Sequence, residues 1–261
     1  MKGTVTKTFY GVEFKVYTDK KIDGDFIKDE AVYFENDVEI TGNLKVKYLK
    51  TEKSITVLKS YTVEKWEEVG GSQEVGGYQE VGGYQKVGES QKVGGYQEVG
   101  GYQEVGWSQK VGGYQEVGES QKVGGYQEVG GYQEVGGYQK VGGYQEVGGY
   151  QKVGEYQEVG GYQKVGGYQE VGGDSTVKLG INVGLSIKIG GTLKFGKRLF
   201  AGICAWRDIV PDEMTITCAK LEGGEVVHGT VIETGIKLEQ DDKMSEAMEL
   251  LKNNGYKVIK E

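Results

Sequence analysis

The chain is poor in the residues that usually announce chemistry. Its 261 residues hold one proline (Pro211), one histidine (His228) and two cysteines (Cys204 and Cys218). A single proline excludes collagen-like and proline-rich linker compositions. One histidine and two isolated cysteines supply neither a metal-ligand set nor a disulfide framework, so no metal and no cofactor is expected. The cysteines read as small buried packing residues in a reducing compartment. No apolar run approaches the roughly 18 residues of a membrane span, and Met1–Tyr10 lacks the apolar stretch of a secretory leader. The expectation is a cytoplasmic protein with no membrane partner. The net charge of −8 argues against a nucleic-acid partner, because surfaces that bind phosphates nonspecifically are basic.

Glycine, by contrast, is abundant, with 47 residues, most of them in one six-residue word. From Val69 to Gly173 the chain reads V-G-G-Y-Q-E with small variations. Gln recurs seventeen times, from Gln73 to Gln169, with Val two positions after each and Glu or Lys between. Alternation of period two sends Gln and Val to one face of a short strand and the charge to the other. Two glycines, or a glycine and a variable residue, then allow a sharp corner. A strand and a corner at fixed period describe a β-solenoid. Helix is excluded, because two glycines per word are each unfavourable by about 1 kcal/mol and a period of six does not hold one face of a helix. Disorder is the rival for such a glycine-rich block, but the phase runs on into apolar sequence at both ends.

Before the block, Val32-Tyr33-Phe34, Val38-Glu39-Ile40 and Leu44-Lys45-Val46 are in-out-in triplets. The phase slips by one residue near Tyr48–Lys50 and resumes at Ile55-Thr56-Val57. After the block, Ile181, Ile187, Leu193 and Leu199 occupy the Gln position, which marks that position as inward-facing. The fold expected is therefore all-β, a parallel β-solenoid over residues 32–203. Residues 1–31 read as an N-terminal β cap, with Thr8, Tyr10, Val12, Phe14 and Val16 alternating along one half-buried strand. Residues 204–261 read as a small α+β cap. It would hold a hairpin (Thr215–Leu221, a turn at Glu222-Gly223-Gly224-Glu225, Val226–Thr234) and a short helix, Ser245–Asn253; Tyr256–Ile259 would be a last strand.

Two coil geometries suit a six-residue side: a triangular coil of 18 residues, which is favoured, and a flattened coil of 12. An inward Gln must find hydrogen bonds, since a buried unpaired amide is unfavourable by about 1–3 kcal/mol. Gln stacked on Gln, one coil apart, would form amide ladders along the axis.

No catalytic constellation stands out. The glycine corners carry no Lys-Ser/Thr and open no helix, so they are not phosphate loops. The outward Glu and Lys are mixed, as on a solvated face. The regular aromatic feature is a Tyr at thirteen of the seventeen corners, with Ser at the others. Tyr78, Tyr84, Tyr96, Tyr102, Tyr114, Tyr126, Tyr132 and Tyr138 are candidates for a partner-binding ridge, beside the plainer reading of aromatics stacked over glycine corners.

The word, an aliphatic residue followed by Gly and preceded two places earlier by a second inward residue, resembles the hexapeptide of left-handed β-helix proteins. It is similar to that of bacterial and phage repeat proteins built on six-residue solenoid words, and more distantly to the core of bactofilins. The hexapeptide resemblance implies acyl transfer through a histidine, for which only His228 is present. The bactofilin resemblance implies nucleotide-independent polymers. Together the residues favour a non-enzymatic rod that serves as a structural or scaffold protein, with self-assembly as an extension of that role. The alternative is a phage-encoded or host-directed protein-binding module that uses the Tyr-lined face or the caps.

Overall fold

The structure, a computed structural model, describes residues 5–202 and 214–236. The expected helix over Ser245–Asn253, the strand at Tyr256–Ile259 and Cys204 lie outside the described residues.

The chain forms a three-sided parallel β-solenoid of about 12 turns. Each three-residue strand pairs in parallel with the strand 18 residues before it and the strand 18 after. Gln97–Val99, for instance, lies between Gln79–Val81 and Gln115–Val117. This register selects the triangular coil over the flattened one. With strands spaced about 4.8 Å, the stack is roughly 58 Å long. The phase slip sits at Lys47–Tyr48, where two residues rather than three separate the sides Leu44–Val46 and Leu49–Thr51. Coils that cross this short corner are 17 residues long, as in Val38↔Ile55 and Leu44↔Tyr61.

The coil reaches beyond residues 32–203 at both ends. Lys15–Tyr17 already pairs in parallel with Val32–Phe34, and Lys21-Ile22 with Glu39-Ile40. The alternating stretch Thr8–Val16 is a hairpin rather than one strand. β1 (Thr6–Phe9) lies antiparallel to β2 (Val12–Tyr17). Its two-residue turn is Tyr10-Gly11, both at positive φ (53° and 76°), the geometry that matches the twist of paired strands. The hairpin seats Phe9 on Tyr33 and Phe14 on Trp66, on the outside of the first coils.

At the other end the expected hairpin does not form. Thr215–Cys218 pairs in parallel with Ile187-Lys188 on one side and with Thr230–Glu233 on the other. Lys220–His228 runs as one strand, parallel to Thr192–Ala201. Gly223 and Gly224 are not a turn. A Cβ there would meet the carbonyl oxygens of Phe195 and Lys197 at 1.8 and 1.9 Å. These glycines let one coil lie directly on another.

The same constraint orders the repeat. In the uniform block no glycine has positive φ, so the corner does not need glycine for its backbone angles. The first glycine of the word is needed for approach: a Cβ on Gly112 would stand 2.2 Å from the Gly94 oxygen, one coil away. The second is less severely crowded: the corresponding distance at Gly113 is 3.1 Å, a tight contact that a shift of a few tenths of an ångström relieves. The second position is accordingly the one that varies, to Glu89, Trp107, Glu119 and Glu155.

Inside, every Val of the block is at most 1% exposed and every Gln at most 2%. The amides join into one lattice that links the three sides. Gln97 Nε2 donates to Gln79 Oε1 (3.0 Å), 18 residues back, and to Gln85 Oε1 (3.1 Å), 12 residues back. Its own Oε1 accepts from Gln109 (2.9 Å) and Gln115 (2.8 Å). An amide offers two N–H donors and two lone pairs, so an interior Gln is saturated. The contact 12 residues back crosses between sides, and only a three-sided coil supplies it together with the ladder contact. All the amides point the same way, with N–H toward the N-terminal coils and C=O toward the C-terminal ones.

Such a lattice must end somewhere. At its start stands Glu67, fully buried at a Gln position. Its carboxylate accepts from Gln73 (3.1 Å) and Gln79 (3.4 Å), from Gln85, and from the Tyr61 hydroxyl. A glutamine there would aim donors at the apolar Leu44 and Leu49 coil; a carboxylate only accepts. Burial pushes the Glu67 carboxyl up to about 7, against the opposing pull of the Tyr61, Gln85 and Gln73 hydrogen bonds. At the far end Ser175 Oγ donates to Gln157 Oε1 (3.1 Å). Gln163 Oε1 accepts from Gln169 (3.0 Å). Gln169 Oε1 lies under Ile187 with no hydrogen-bond partner among the described residues.

Candidate interaction surface

The outward positions carry what the surface can do. His228 is exposed, and its Nδ1 donates to the Ala201 carbonyl, an ordinary edge contact. Cys218 is buried, and burial raises its thiol pKa, which favours the unreactive form. Among the described residues, no three His, Cys, Asp or Glu side chains converge as a metal site. No helix there is long and apolar enough to cross a membrane.

The coil divides the tyrosines among three corners. The register places Tyr78, Tyr96, Tyr114, Tyr132, Tyr150 and Tyr168 in one unbroken row. A second corner carries Trp66, Tyr84, Tyr102, Ser120, Tyr138 and Tyr156. The third carries Ser72, Ser90, Ser108, Tyr126, Tyr144 and Tyr162. The eight tyrosines proposed from the sequence are thus not one ridge: four share the first corner, three the second, and Tyr126 lies on the third. A period of six cannot reveal this assignment, which needs the coil length. Trp107, 72% exposed beside Ser108, was not singled out in the sequence. Its signal was there, as the one aromatic residue in a glycine slot.

Along the first corner the rings adopt two arrangements. Tyr96, Tyr114 and Tyr132 stack, with centroids 4.9 Å apart at each step. Tyr78 and Tyr150 instead turn their hydroxyls onto Glu98 and Glu170, each at 3.0 Å. Partial burial first, and the Glu98 carboxylate next, push Tyr78 up to about 12; Tyr150 is pushed equally far in the same way, by burial and Glu170.

The charges divide as unevenly. Each Lys of the block lies within 4 Å of a Glu one coil away: Lys86, Lys92, Lys110, Lys122, Lys140, Lys152 and Lys164. Such exposed pairs contribute about 0–1 kcal/mol each. Of the block's glutamates between Gln and Val, those that pair with no Lys or Arg among the described residues are Glu80, Glu98 and Glu116. They are consecutive, stacked in register with Glu134 beside the first Tyr row. Like charges directly opposite on neighbouring strands repel. The Tyr and Glu rows enclose a shallow groove of about 250 Å³, lined by Tyr78, Tyr96, Tyr114 and Tyr132 on one side and Glu98, Glu116 and Glu134 on the other.

No protein-family model, curated protein or solved structure matches the chain.

Proposed function

We propose that the protein is a non-enzymatic rod, a scaffold or spacer that holds its two non-repeating ends at a fixed separation. The observation that supports this most directly is the saturated Gln lattice. It makes successive coils geometrically equivalent and stiffens the core from Glu67 to Gln169, while the outward side chains among the described residues carry no arrangement suited to catalysis. A coil-number series tests the reading. Deleting residues 91–108 removes one whole coil and, for a spacer, shortens the particle by roughly 4.8 Å, measurable by small-angle scattering. It leaves unchanged the set of proteins retained on the immobilised chain. Loss of a retained protein on removal of that internal coil overturns the spacer and favours a binding module. Self-assembly is a further part of this proposal; electron microscopy that finds single rods without axial or lateral order at high concentration removes it.

The binding-module reading is favoured by one observation, the unbroken Tyr row at the first corner. The other two corners interrupt their rows with Ser.

A further inference from the structure

The groove at the first corner combines two departures from an otherwise uniform surface: the only Tyr row of the block without Ser, and, among the described residues, its only stacked run of glutamates without a basic partner, Glu80, Glu98 and Glu116. We propose that this groove binds a linear aliphatic oligoamine with three-carbon spacing between ammonium groups, laid along the rod axis. This does not depend on the spacer reading, because it concerns one face and neither end.

Three features fix the class of ligand. Glu98, Glu116 and Glu134 call for cations, and Lys152 at 3.1 Å from Glu134 closes the row. The opposite wall is aromatic, with Tyr96 and Tyr132 about half exposed (50% and 52%). Ring faces hold both methylene chains and ammonium groups. The repeat distance then selects among polycations. Within the groove, from Tyr96 to Tyr132, ring centroids recur every 4.9 Å, and the carboxylates rise by one coil per step, roughly 4.8 Å. Four single bonds in an extended N–C–C–C–N unit span roughly 5 Å, so successive ammonium groups stay in step with successive carboxylates. A lysine-rich peptide does not, because same-face side chains of an extended strand recur at roughly 6.6 Å. The volume suits a thin chain: about 250 Å³ equals the share of roughly eight water molecules. The ring arrangement is confined to the same place. Tyr78 and Tyr150 close onto glutamate at either end of the groove, and the open, stacked rings lie between them.

The test is calorimetric titration of the full chain with norspermidine, a triamine with two three-carbon spacers, at low ionic strength. Saturable binding is expected, weakened roughly tenfold in the double variant Glu98→Gln/Glu116→Gln, the loss of at least one charge-assisted bond. Tyr114→Ser, which installs the residue already tolerated at Ser90 and Ser108, should weaken it several-fold. Glu128→Gln, whose native partner is Lys110 on another face, should leave it unchanged. A triamine with six-carbon spacers should bind more weakly. Equal affinity for the two triamines, tighter binding of pentalysine or magnesium ion at equal charge, or an unaltered double variant each overturns the proposal. Thermal melts of every variant check that the coil persists.

Discussion

The two ends of the glutamine lattice solve the same problem differently. At the N-terminal end the leftover groups are N–H donors, and one buried carboxylate gathers them from three amides while the Tyr61 hydroxyl supports it. At the C-terminal end the leftover groups are carbonyls. There the chain shifts to Ser175 and then to Ile181 and Ile187, and one oxygen, that of Gln169, has no partner among the described residues. The difference follows from chemistry. Buried N–H groups without an acceptor are rarer in proteins than under-satisfied carbonyl oxygens, so the acceptor end is the one that can go unserved. The donor end demands a dedicated residue; the acceptor end tolerates a gradual fade into aliphatic sequence.

The sharpest way to break the comparison is to remove the terminator. Glu67→Leu strands donors of Gln73, Gln79 and Gln85 and should lower stability by about 3–5 kcal/mol, the range for breaking a buried charged network. A loss below about 1 kcal/mol in a denaturant melt would show that the amides rearrange freely. Next comes position within the lattice. Gln115→Leu takes an acceptor from Gln127 and Gln133 and a donor from Gln97 and Gln103. Gln169→Leu strands no donor and removes the unpartnered oxygen. The interior variant should be the worse by about 1–2 kcal/mol, and equal melting points would sink the claim that the acceptor end is the permissive one.

The pH dependence separates the ends further. The Glu67 carboxyl is raised from 4.5 to about 7 in the folded chain, so between those values the folded state binds the extra proton. Its contribution is full below pH 4.5, falls as pH rises, and levels off above 7, a decline of roughly 3 kcal/mol at most. Glu68 and Glu170 lie in the opposite sense. Burial opposes ionisation, but Lys50 and Lys188 respectively hold their carboxyls below the usual value. Their contribution is lost only as pH falls through those lowered values, below the Glu67 window. Glu67→Gln should flatten the slope between pH 4.5 and 7; an unchanged slope would assign it to other groups. The smallest effect is expected from Ser175→Ala. It removes one donor to Gln157 Oε1, which keeps its bond from Gln169, and it should lower stability by about 0.5–1 kcal/mol.

Much of this architecture is legible in single residues. Ile181, Ile187 and Leu193 at the Gln position declare it inward, and the slip near Tyr48 is visible as a phase change. What is not legible depends on how coils meet. The alternation Thr8–Val16 passes smoothly through a two-residue turn, so its parity hides the reversal at Tyr10-Gly11. Gly223-Gly224 looks like a turn because glycine marks both bends and close approaches, and only the coil beneath distinguishes them. Leu49-Lys50-Thr51 escapes a strict six-residue search because its corner is short. The candidate surface is harder still. One word gives each Tyr the same neighbours, and the groove arises only when residues 18 apart are stacked and three glutamates fall in line.

The uniform orientation of the amides gives the rod an electrical direction. Aligned amide dipoles add as the peptide dipoles of a helix do, and here three columns add in parallel within a core that water does not enter. Their positive pole lies at the Glu67 coil and their negative pole at the Gln169 coil. Two such rods side by side are lowest in energy head to tail, and end to end they join pole to opposite pole. A field across a solution of these particles would turn them one way round.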